Sequence, residues 1–293
     1  MKRNLRGKKA GDVIAQGVIW IILAVSLIMF SVPFLFMITN SFETFSFVLP
    51  YPPKLIPTQL DFSAYKYVLS LPFFPTAVKN SVINTAITVV LSVFISTLSA
   101  YGFARIEFPG RETLFKVYLF TLMVPSFLNI IPQFIILKGI HIPGTDLNLI
   151  GTRAGLILVY VATNVCGHTF FLRNFFRSLP DALSESVIVD GGGHGAIFFK
   201  VMLPLSKPAI GTMSIFALQG FWEEYFTAKV LVGANESMMT LPLLLQRLHG
   251  QYATRWEWVF AASILALIPI VAIFILFQRK LVIGGLTQGS VKE

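Results

Sequence analysis

A single cysteine, Cys166, stands among the 293 residues, so the chain can form no internal disulfide and no cysteine-based zinc site. It falls inside an apolar stretch, where a small packed thiol is the ordinary reading. Four histidines, His141, His168, His194 and His249, form no close pair, and H-E-x-x-H does not occur, so no metal site is expected. Also missing are G-x-x-x-x-G-K-[ST] and G-x-S-x-G, the phosphate-cradling loop and the serine-hydrolase elbow. The glycines at 191–193 and 195 have neither a following lysine nor a preceding strand, so they are not read as a phosphate site. Charge is scarce as well: 13% of residues are charged, against roughly 25% in soluble domains.

What is present is apolar. Hydrophobic residues make up 55% of the chain, with 28 phenylalanines and a mean hydropathy of +0.74. One aqueous core cannot hide that much apolar surface. Because about 20 helical residues cross the hydrocarbon layer, the charge-free stretches 13–42, 80–104, 117–137, 154–172 and 258–278 each read as a crossing. A sixth, 208–222, is shorter and is followed by Glu223, Glu224 and Lys229. The expected fold is all-α and integral to the membrane, with six transmembrane helices.

Lysine and arginine orient the helices. With the amino end inside, fifteen basic residues lie inside and eight outside. That excess favours cytoplasmic termini and an even number of spans. It also accounts for the pI near 9.7 without a nucleic-acid partner. The first apolar run follows basic residues as a signal peptide would, yet it is too long and no A-x-A-like site follows, so an uncleaved helix is expected. Residues 1–12 then form a cytoplasmic amino end, 13–279 a single six-helix domain and 280–293 a cytoplasmic tail. The proline-rich segment 43–79 is an external loop. Among bacterial membranes, such a multi-pass chain suits the cytoplasmic (inner) one.

The loop between helices four and five, about 173–208, is unusual. Ser178 and Asp181 match a capping box, with Pro180 acceptable in a first turn. Leu183 and Val187 share a face, with Ile188 and Val189 beside it, and the glycines at 191–193 end the helix. A second helical piece over 196–203 should stop at Pro204. This loop presents a short, partly apolar helix, as a docking element would.

Here the sequence resembles a known family. Glu185-Ser-Val-Ile-Val-Asp190-Gly191, followed by Leu203-Pro204 and Pro208, resembles the cytoplasmic EAA loop of binding-protein-dependent ABC importer permeases. Ser186 and Val187 stand where that family prefers two alanines, and Gly192 where it often has another. Asn80-Ser81, the run Ala100-Tyr-Gly-Phe-Ala-Arg105, Pro125, Pro132, Phe221-Trp-Glu-Glu-Tyr225 and the tail from Phe277 to Lys292 are similar to the sugar-importer permeases related to maltose transport. The resemblance implies a non-catalytic permease subunit that forms half of a translocation path. Its implied partners are a second homologous permease, two ATPase subunits that carry ATP and Mg, a periplasmic or surface solute-binding protein, membrane lipids and a sugar. No cofactor is expected on this chain. The resemblance further implies ATPase coupling through Glu185, Ser186, Val187, Asp190 and Gly191, with Val187 as an apolar contact. Pro204 and Pro208 would fix the approach to helix five, whose tilting gives alternating access.

Glu223 and Glu224 are the acids nearest membrane depth. A buried charge there costs about 2.5–3.5 kcal/mol, so both should face protein or water. Sugars need aromatic faces and hydrogen-bonding groups. The candidate path residues are therefore Asn84 and Thr88 (with Thr85) in helix two, and Gln219, Glu223, Glu224 and Tyr225 in helix five; interhelical bonding is the competing role for each. External Lys229, Arg247 and Arg255 would suit an acidic saccharide, for example a uronate oligomer such as alginate, or an acidic face of the binding protein. An ion-coupled secondary transporter would call for internal duplication and mid-membrane coupling charges. It and an ABC permease for a non-sugar solute are the alternatives.

Overall fold

The computed structural model describes residues 10–43, 48–49, 51–141, 144, 148–233, 235–250 and 254–289. Among these, the regular structure is helical, relieved by one isolated bridge between His141 and Asn148. In chain order the helices are α1 (Ala10–Ser41), α2 (Ser63–Ser70), α3 (Phe74–Arg105), α4 (Arg111–Phe120), α5 (Ile130–Gly139) and α6 (Arg153–Ser178). There follow α7 (Ala182–Val189), α8 (His194–Ala196), α9 (Leu203–Leu205), α10 (Lys207–Glu223), α11 (Phe226–Val232), α12 (Leu241–Leu248) and α13 (Trp256–Gly289).

Four stretches are long and apolar enough to cross a membrane unbroken: Ile14–Ser41, Phe74–Arg105, Arg153–Ser178 and Trp256–Phe277. Two more are bent pairs, Arg111–Met123 with Ser126–Gly139 at 92°, and His194–Leu205 with Lys207–Glu223 at 71°. Six crossings result when each pair counts as one. The first break falls where Val124 takes an extended conformation, φ −82° and ψ 117°, as a residue before proline prefers. Pro125 thus divides the expected third span and does more than kink it.

The chain forms two compact units, Met1–Leu71 with Arg247–Leu265, and Pro72–Gln246 with Ala266–Glu293. In the first, aromatic edges do much of the packing: Phe36 meets Phe260 at 5.8 Å and Phe42 meets Phe62 at 5.2 Å. Tyr67 stacks on one side of the Trp258 ring at 3.7 Å, while the Arg255 guanidinium lies 4.2 Å over that ring. Buried Glu257 accepts from Arg255 Nε and Nη2 at 2.8 Å. Arg255, expected to steer anions, is therefore already paired with a carboxylate.

In the second unit α3 packs chiefly on α6 and α10. The buried face of α3 carries Asn80, Ser81, Asn84, Thr85, Thr88, Ser92, Ser96 and Thr97, small and polar residues that let helices approach closely. Asn80 donates to the carbonyls of Ser237 and Met239 at 2.9 Å and accepts from Arg153 at 2.7 Å. Ser92 Oγ meets His168 Nδ1 at 2.7 Å. Toward the far end of α3, a core of Ala100, Tyr101, Leu172, Phe176, Ile197, Phe198, Met202, Ala209 and Met213 supports the loop that follows α6.

Candidate functional site

The loop is built on the end of α6. Leu179 is extended (φ −78°, ψ 142°) because Pro180 follows, and the chain turns at once into the eight residues of α7. The expected capping box does not form. Helix α6 continues through Ser178, whose hydroxyl donates back to the Phe175 carbonyl at 2.7 Å, and the Asp181 carboxylate is taken by Arg105. The first turn of α7 instead closes on main-chain oxygens, with Ser184 and Glu185 N–H bonding Asp181 O at 2.8 and 3.1 Å.

The carboxyl end of α7 is a Schellman turn. Gly191 N–H bonds Ile188 O at 2.9 Å and Gly192 N–H bonds Val187 O at 2.8 Å. Gly191 has φ +79°, the left-handed region in which a Cβ is penalised.

The second piece departs from expectation. It does not end at Pro204: α8 leads into a widened π-turn over Ile197–Met202, then α9 over Leu203–Leu205. The Leu203 N–H reaches Phe198 O, five residues back, so the coil opens just where a ring without an N–H must fit. The direction changes at buried Ser206, ahead of Pro208 in the first turn of α10. Pro204 and Pro208, both exposed, thus flank the 71° bend.

Glu185, Ser186, Asp190 and Gly191 are exposed, as a docking element requires. Val187, expected as an apolar contact, turns half inward and packs on the Tyr101–Phe176–Phe198 core. Exposed apolar surface on α7 comes instead from Ile188 (58%) and Val189 (85%), the residues beside the expected face.

Arg105 and Tyr101 brace this element and Arg173 ties the end of α6 to α3 and α4; sequence reasoning gave none of the three a bracing role. Arg105, its side chain 8% exposed, donates through Nη2 to Phe176 O (2.7 Å) and Leu179 O (2.6 Å) and through Nη1 to Asp181. Arg173 donates to Phe103 O at 3.1 Å and to Glu112 at 2.6 Å, over the face of Phe115. Tyr101 Oη donates to His194 O at 3.1 Å, where α8 begins. The legible signal was a basic residue at each helix end, which topology alone had seemed to explain. Between α3 and α7 lies a polar cleft of about 650 Å³ lined in part by Tyr101, Arg105, Asp181, Glu185 and His194.

The candidate path residues do not converge. Asn84 (2% exposed) and Thr88 (0%) are sealed within the unit, and their side-chain polar atoms have no partner among the described residues. Glu224 closes the amino end of α11: its carboxylate accepts from Thr227 N (2.7 Å), Ala228 N (3.1 Å) and Tyr160 Oη (2.6 Å). Tyr225 is half-buried beside it. Gln219 and Glu223 are exposed one turn apart on α10, 3.5 Å from each other, and exposed Phe216 shares their face. Hydrogen bonds to a charged acceptor contribute about 1.5–3 kcal/mol each. Glu224→Gln should therefore lower solute uptake about fivefold or more, whereas Glu236→Gln, on an exposed turn, should leave it nearly unchanged. Equal effects in an uptake assay would remove the special role of Glu224.

Six apolar crossings, two of them broken, with a braced and exposed helix in the loop between the fourth and fifth, define a polytopic membrane transport subunit. The chain belongs to the family of binding-protein-dependent transport system inner membrane components, whose profile matches residues 92–282. It is 31% identical over 262 residues to the diacetylchitobiose uptake system permease protein NgcG of Streptomyces coelicolor, across 89% of this chain and 84% of that one. To the arabinooligosaccharides transport system permease protein AraQ of Bacillus subtilis it is 34% identical over 213 residues, 73% and 72% of the two chains. Its fold matches a chain in the crystal structure of a bacterial ABC transporter involved in the import of the acidic polysaccharide alginate. There the TM-score is 0.75 at 25% identity, covering 93% of this chain and 98% of that one.

Proposed function

We propose that this chain forms half of the translocation path of an ATP-driven, binding-protein-dependent importer of sugars or oligosaccharides, acidic ones included, and couples that path to separate ATPase subunits. The observation that carries the reading is α7, an eight-residue helix with its hydrophobic Ile188 and Val189 exposed and both ends fixed by hydrogen bonds. Single large apolar residues on a rigid polar-flanked element are what a partner's groove grips. The relatives' names, a chitobiose derivative and arabinooligosaccharides, support sugar as the solute class.

In this reading the loop and both termini face the cytosol. A second, related permease completes the path, a solute-binding protein delivers the sugar from outside, and ATP with Mg sits on the ATPases. The exposed face of Phe216, Gln219 and Glu223 lines the aqueous side of α10, since a carboxylate turned to lipid would be costly. When the ATPases close, α7 moves, and the bend at Ser206 passes that motion to α10.

A cysteine in place of Ile188, in a Cys166→Ser background, tests the reading. A membrane-impermeant maleimide should label it in inside-out vesicles alone, and the ATPase subunit should protect it. Labelling from the outer face, or no protection, would overturn the proposal.

A further inference from the structure

We infer that Val187 and Gly192 are a size-matched pair that sets the roll of α7, and so decides which of its side chains a partner meets. This rests on the coupling role proposed above. A Cβ built on Gly192 would lie 2.5 Å from Val187 Cγ1, 2.9 Å from Val187 O and 3.3 Å from Ala196 Cβ. The first two are overlaps and the third is a tight contact, and the Gly192 N–H bond to Val187 O at 2.8 Å leaves this stretch of chain little freedom to retreat.

The glycines of this turn then separate by cause. Gly191 is required by its positive φ, although a Cβ there would meet open space. Gly192 is required by space. Gly193 is required by neither: its φ of −94° with ψ −175° suits any residue, and nothing lies within 4 Å of its Cβ position. Val187 fills the volume that Gly192 vacates while its other side packs on the loop's core. With Val187 drawn inward, Ile188 and Val189 are turned out. Of the three places where this loop departs from the alanine preference of its family, Val187 and Gly192 thus meet each other, one enlarged and one reduced.

Bulk added at 192 must push Val187 and roll the helix, because the backbone carbonyl cannot yield independently of it. The test uses the full transporter in membranes. Gly192→Ala should lower uptake about tenfold and Val187→Ala about twofold, while the double variant should recover part of the loss, about threefold over Gly192→Ala, because the contact with Val187 O remains. Gly193→Ala should match the parent. Cysteine cross-linking to the ATPase gives an independent readout: in Gly192→Ala the yield should fall at position 188 and rise at 187. Should Gly192→Ala fail to reach the membrane, restored insertion of the double variant reads the same coupling. Additive losses, or an unchanged cross-link pattern, would overturn the pair. Non-additive losses with no cross-link to an ATPase in any variant would keep the pair and remove the coupling role.

Discussion

Gly191→Val is expected to abolish solute uptake while the protein still reaches the membrane in normal amount. At φ +79° a side chain costs about 1–2 kcal/mol, and a β-branched one more. Relief of that strain would open the two turn bonds at Ile188 O and Val187 O, each contributing about 1 kcal/mol. An opened turn no longer carries the strain, so the two costs do not add: the strain alone, about 2 kcal/mol or more for valine, lowers the population of the native turn about thirtyfold or more. The eight residues of α7 cannot absorb this, because helices shorter than about 12 residues do not hold in isolation and depend on their ends. Insertion is unaffected since the change lies outside all six crossings. A graded series makes the cause visible: uptake per inserted protein should fall from glycine to asparagine, to alanine, to valine, following tolerance of the left-handed region. Asparagine and valine behaving alike would show that space or polarity, not backbone conformation, governs position 191.

The crossings were readable from composition because a membrane asks for length and apolarity, and both are local properties. What stayed hidden depends on which group reaches a partner first. Pro125 and Pro204 both announced a disturbance, but a proline does not say whether the chain breaks by 92° or widens into a π-turn and continues. Ser178 and Asp181 had the right spacing for a cap, yet α6 had already claimed the serine and Arg105 the aspartate. Asn84 and Thr88 show a related limit: a polar residue within a span reads alike whether it is exposed or, as here, buried. Val187 fell inward because the core formed by Tyr101, Phe176 and Phe198 comes from α3, α6 and the π-turn after α8, which no local periodicity contains. Arg105, counted as one of many inside positive charges, turned out to be nearly buried.

Replacement of Arg105 should therefore damage transport more than its place at a helix end suggests. Its Nη2 serves the carbonyl of Phe176 in the last turn of α6, which otherwise takes a long 3.4 Å bond from Leu179 N–H, and the carbonyl of Leu179 just beyond the helix end, where main-chain oxygens run out of helical partners. Arg105 thus caps α6 from α3 and holds the short connection into α7. In Arg105→Gln both acceptors lose a charged donor, at about 1–3 kcal/mol each, so uptake should drop about tenfold or more. Arg105→Lys should lie between, since one ammonium nitrogen cannot stand in for both Nη2 at the two carbonyls and Nη1 at Asp181. The ion pair with Asp181 is the lesser part. Asp181 is 83% exposed, and such pairs are worth about 0–1 kcal/mol, so Asp181→Asn should cost about threefold at most. Arg177, half exposed and 3.9 Å from Glu112, should tolerate glutamine. The decisive comparison is between the two ends of one interaction: if Asp181→Asn matched Arg105→Gln in uptake and in thermal stability, the ion pair would be the brace. If the arginine variant alone fails, the carbonyls of α6 are what Arg105 holds, and the path from α3 to α7 runs through the main chain.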